Sequence, residues 1–92
     1  MDQAKVAQQL TQYADIFEVY HKTSFECYRH TKDGGIQTVT VDILDMGPEK
    51  GDLRYTCVAK SEDGRMATGN PARSVDEVLP TVHWFDLDRD AI

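Results

Sequence analysis

Cysteine, basic residues and long apolar runs are all scarce in this 92-residue chain. Two cysteines, Cys27 and Cys57, are too few to staple a secreted mini-domain, so free, buried thiols in a reducing compartment are expected. No stretch approaches the roughly 18 consecutive apolar residues of a membrane span. The start, Met1-Asp2-Gln3-Ala4-Lys5, lacks the basic and apolar blocks of a signal peptide, which makes a cytoplasmic location the default expectation. Ten Lys and Arg face sixteen Asp and Glu, for a net charge of −6. A negative field opposes nonspecific binding to phosphate backbones, where Lys and Arg supply the counterion release. It leaves open a protein partner with a basic surface, or a partner site that normally holds nucleic acid. Repeats, low-complexity tracts and linkers are also missing. Residues 1–92 therefore read as one domain, with 40% apolar and 28% charged residues as in an ordinary globular protein.

The patterning that is present alternates between two periods. Val6, Leu10, Tyr13, Phe17 and Tyr20 recur every three or four residues, which predicts an N-terminal helix with one apolar stripe. Residues 16–20 also read as a short strand; the longer helix is the favoured reading. Ser24 to Thr31 alternates as a strand, with Phe25 and Cys27 on one face and Glu26 and Tyr28 on the other. Lys32-Asp33-Gly34-Gly35 is a hairpin turn, because Asp and Gly tolerate positive φ. Ile36 to Leu44 is a half-buried strand with Val39, Val41 and Ile43 on its inner face. Leu53 to Lys60 alternates again, with Leu53, Tyr55, Cys57 and Ala59 inward and Arg54 and Lys60 outward. Glu62-Asp63-Gly64 turns the chain into a short fourth strand near Arg65 to Thr68. Ser74 and Glu77 have capping-box spacing and open a second helix, which Pro80 should kink or end.

The fold class that follows is α+β: an N-terminal helix, a three- or four-stranded antiparallel meander, and a short C-terminal helix. Both helices are expected to cover the inner sheet face. In a meander the strands of Cys27 and Cys57 are separated by the central one, about 10 Å apart, too far for a disulfide. Residues 86–92 are expected to form a solvated acidic tail.

Tests for chemistry give little. Cys27 and His30 have a C-x-x-H spacing, but along a strand they point to opposite faces, so no metal is implied. Asp86, Asp88 and Asp90 begin a calcium-loop pattern whose glycine and twelfth-position Glu do not follow. Buried thiols are inert, and no nucleophile elbow or phosphate loop is present, so neither an enzyme nor a cofactor is expected. The element order resembles that of double-stranded RNA-binding domains, whose last helix starts with basic residues; here that start reads Ser74-Val75-Asp76-Glu77.

The preferred reading is a non-catalytic protein-interaction module: a regulator, adaptor or inhibitor. Its candidate partner-binding residues are Trp84, Phe85 and Tyr28 as aromatic anchors, with Asp86 and Asp88 as an acidic rim. The alternative is nucleic-acid related. The chain would either mimic nucleic acid through its acids, or bind it through Arg29, Lys32, Arg54, Lys60 and Arg65 on the outer sheet face and its turns.

Overall fold

The computed structural model describes residues 3–88. It shows an α+β arrangement: α1 (Gln3–Leu10), β1 (His21–His30), β2 (Ile36–Asp45), β3 (Tyr55–Ser61), β4 (Met66–Thr68) and α2 (Val75–Val78). Short 3₁₀ turns follow at Pro48–Leu53, Leu79–Thr81 and Trp84–Asp88. The four strands form one antiparallel sheet in the order β1-β2-β3-β4, the expected meander. Cys27 on β1 and Cys57 on β3 are both free and flank β2, as the strand order requires. Among the described residues no helix is long and apolar enough to cross a membrane.

Turn chemistry sets the register. Thr31 N–H donates to Gly35 O at 2.9 Å, and Gly34 takes φ 87° in the β1–β2 turn. Gly64 takes φ 93° in the β3–β4 turn. Odd-numbered residues then share one face across the whole sheet, with Phe25 beside Val41, Val41 beside Ala59 and Ala59 beside Ala67. That face carries the core, which consists of Val39, Val41, Cys57, Ala59, Ala67, Val78, Val82 and Leu87. Leu53, expected on this face, lies in the 3₁₀ turn before β3 and is exposed.

Among the described residues, the buried side chains that cover the sheet, Val78, Val82 and Leu87, all come from the C-terminal end. Ser74 Oγ accepts from Glu77 N–H and starts α2. The reciprocal arm of the capping box does not form, because the Glu77 carboxylate binds Arg73 Nε at 3.0 Å instead. Pro80 acts as expected: the α-helix ends at Val78 and the chain tightens into 3₁₀ geometry. Gly69 lets this layer close on the sheet. A Cβ there would stand 2.7 Å from both Thr81 C and Val82 N, so only glycine fits.

Two further expectations fail here. The N-terminal helix stops at Leu10, and Ala14 and Asp15 take left-handed φ values of 49° and 57°. Residues 16–20 then run without regular structure, neither helix nor strand. A left-handed Ala costs about 1–2 kcal/mol and is rarely signalled by sequence. The stripe therefore breaks before it can lie on the sheet, and residues 5–30 contribute nothing fully buried. The second correction concerns the acidic tail. Residues 86–88 belong to the packed 3₁₀ turn, with Leu87 only 1% exposed. Residues 89–92, the rest of that expected tail, lie outside the described residues.

Candidate functional site

The candidate residues from the sequence divide among three places. Trp84 and Phe85 open the last 3₁₀ turn, beside the covered core. Trp84 Nε1 donates to Leu79 O at 3.1 Å, which ties the indole to the cover. Phe85 is 55% exposed and stacks on His83 with centroids 5.7 Å apart. Asp86 sits half-buried between them and Leu87. Tyr28 lies across the sheet from this group, on the outer face of β1, where its hydroxyl donates to Glu26. That hydrogen bond, with the Glu26 charge, raises the phenol pKa and keeps it protonated. Trp84 and Phe85 thus form one small patch, and Tyr28 belongs to another.

Asp88 and three of the five candidate cations do structural work. Arg29 is on the inner face, not the outer face expected for it. Its Nη2 pairs with Asp88 Oδ1 at 3.0 Å, and its Nη1 donates to Gln37 Oε1 at 2.7 Å. Gln37 is buried and passes the chain of bonds on, with Nε2 donating to Leu87 O at 3.1 Å. Arg65 Nη1 reaches the same carbonyl at 3.4 Å and pairs with Asp63 at 3.5 Å. This network clamps the C-terminal turn to the hairpin end of the sheet. A buried Gln whose amide and carbonyl are both satisfied fixes a single arrangement.

Arg54 is held at the opposite end. Its Nε and Nη2 donate to the two carboxylate oxygens of Asp45 at 2.8 and 3.0 Å, and its guanidinium lies 5.0 Å from the Tyr55 ring centroid. The forked hydrogen bond lowers the Asp45 pKa. Lys60 on the outer face and Lys32 in the first turn are exposed. Lys32 borders an open polar hollow of about 440 Å³ with Thr31, Asp33, Asp63, Arg65 and Asp88. Cations and acids alternate around it, so it offers no field of one sign to a phosphate.

Sequence reasoning missed a third place. Leu10, Tyr13, Phe17 and Tyr20 carry the stripe assigned to the core, and all four are exposed, Phe17 by 87%. Asp15 and Glu18 stand exposed between them. The spacing was visible; the break at Ala14–Asp15 that keeps these side chains off the sheet was not. Burial raises the Cys57 thiol pKa, with the Asp42 charge adding to it, which fits an inert core thiol. Among the described residues no group of His, Cys, Asp and Glu converges as a metal site.

Compared with protein-family models, with curated proteins and with solved structures, the chain matches none.

Proposed function

We propose that the protein is a small non-catalytic interaction module that binds another protein through residues 10–20. One observation carries this reading. None of the four tyrosines, three phenylalanines and one tryptophan is buried, while the core is filled by Val, Ala, Cys and Leu. Aromatic side chains are the largest apolar bodies a chain has, and hiding them is the ordinary outcome of folding. Displayed beside charged residues, they are the usual anchors of protein interfaces. Leu10, Tyr13, Phe17 and Tyr20 supply the anchors, and Asp15 and Glu18 favour a basic partner surface. The net charge of −6 acts in the same direction at long range. Two free thiols, Cys27 and Cys57, suit a reducing compartment such as the cytoplasm.

The test is capture from host lysate, with and without nuclease, by wild-type protein and by a Tyr13→Ser/Phe17→Ser variant. A protein retained after nuclease by the wild type and lost from the variant is the expected result. Nucleic acid held equally by both chains, and released as salt rises, would overturn the reading in favour of direct nucleic-acid binding.

A further inference from the structure

The two edges of the sheet are treated differently. β4 is three residues long, and its free side is closed where Thr68 O accepts from His83 N–H at 3.1 Å. β1 is ten residues long and paired to β2 along its whole length. Among the described residues no backbone hydrogen bond reaches its other side. A long open edge is a template for another strand.

The direction of the free groups follows from the ladder. In antiparallel pairing, alternate residues direct their amide and carbonyl to opposite neighbours. Glu62 N–H donates to Thr38 O at 3.1 Å, so the even-numbered residues of β2 bond toward β3. Its odd-numbered residues bond β1, and the even-numbered residues of β1, Lys22, Ser24, Glu26 and Tyr28, turn theirs to the open edge.

We propose that β1 pairs antiparallel with β1 of a second copy about a two-fold axis at Phe25, giving a continuous eight-stranded sheet across the dimer. Even-numbered residues must oppose even-numbered ones for the bonds to form, so the inner faces of the two sheets join. An axis at Glu26 sets two like charges against each other. An axis at Ser24 pairs fewer residues of the strand. With the axis at Phe25, Phe25 meets the partner's Phe25 in a non-hydrogen-bonded pair, the closest kind. This covers a side chain that is 51% exposed in the single chain. On the outer face Lys22 opposes the partner's Tyr28 and lies diagonal to the partner's Glu26, twice by symmetry. β1 carries Lys22 and Arg29 against Glu26, so the pairing joins no excess of acids. The dimer goes beyond the protein-binding reading: residues 10–20 precede β1 in each copy, so the dimer carries them twice and one partner can be engaged bivalently.

Sedimentation of the full chain tests the pairing. A concentration-dependent monomer–dimer equilibrium is expected, weakened about tenfold or more by Glu26→Pro, which removes an edge amide that β2 does not use. A cross-link keeps the test sharp if that variant folds poorly. In this register Thr23 faces the partner's Cys27 within disulfide reach. Thr23→Cys should give a reducible dimer on mild oxidation, and Lys22→Cys, on the other face, should not. A chain that stays monomeric at about 100 µM, above the range of ordinary specific interfaces, overturns the dimer. Equal cross-linking of the two cysteine variants overturns the register. Neither result bears on capture by residues 10–20, which the Tyr13→Ser/Phe17→Ser comparison judges separately.

Discussion

Residues 37–88 and residues 5–30 solve different problems with similar material. In the first region valine, alanine and leucine are hidden beneath a cover of short helical turns, and polar groups such as Gln37 are satisfied inside. In the second, Phe17, Phe25 and Tyr28 stand in solvent and β1 leaves one edge open. A stable fold needs the first treatment. The second puts apolar surface and unpaired backbone where another molecule can use them. The difference separates the part that holds the fold from the part proposed for recognition, and substitutions should tell the two apart.

The largest effect belongs to the covered region. Leu87→Ala should lower unfolding free energy by about 3 kcal/mol, because the cavity lies under a turn held by its own network. Urea denaturation measures it. Gly69→Ala comes next, at about 2 kcal/mol, since the backbone of Thr81 and Val82 cannot move aside for the new methyl. Loss of the α2 cap in Ser74→Ala should cost about 1 kcal/mol. If any of the three proved silent, the covered region would be looser than its geometry requires.

Acid sharpens the comparison further. Arg54 holds the Asp45 pKa below the ordinary carboxylate value. A carboxylate with a lowered folded-state pKa adds stability above its unfolded-state pKa. That addition is lost as pH falls through the unfolded value toward the folded one. Asp45→Asn should therefore be less stable than wild type near neutrality, and the two denaturation curves should converge in acid. A constant difference down to low pH would mean that the ion pair is not the cause. At the small end, Phe17→Ser should change stability by no more than about 0.5 kcal/mol, as at any exposed site.

Legibility from sequence followed the same division. The strands, their order, the stop at Pro80 and the separation of the cysteines all rest on period-2 alternation, turn glycines and proline. These act locally, so the sequence shows them directly. The N-terminal stripe misled for a physical reason. Helical spacing says which residues share a face, not whether that face finds a surface to cover it. The turn at Ala14–Asp15 needs two left-handed residues in succession, which Asp15 tolerates but Ala14 does not signal. Arg29 has the same strand phase as Phe25 and Cys27 and falls on the inner face with them. Its charge argues for the outer face, and the Asp88 carboxylate that satisfies it inside lies 59 residues away. The aromatic display of residues 10–20, the core of the candidate site, was legible as composition and not as exposure.

The most direct measurement is urea unfolding of a Tyr13→Ser/Phe17→Ser/Tyr20→Ser variant beside the wild type. If these side chains serve recognition, the unfolding free energies agree within about 1 kcal/mol while partner capture is lost. A fall of about 3 kcal/mol or more would show that the stripe packs as core, and would contradict the division between covered and displayed regions.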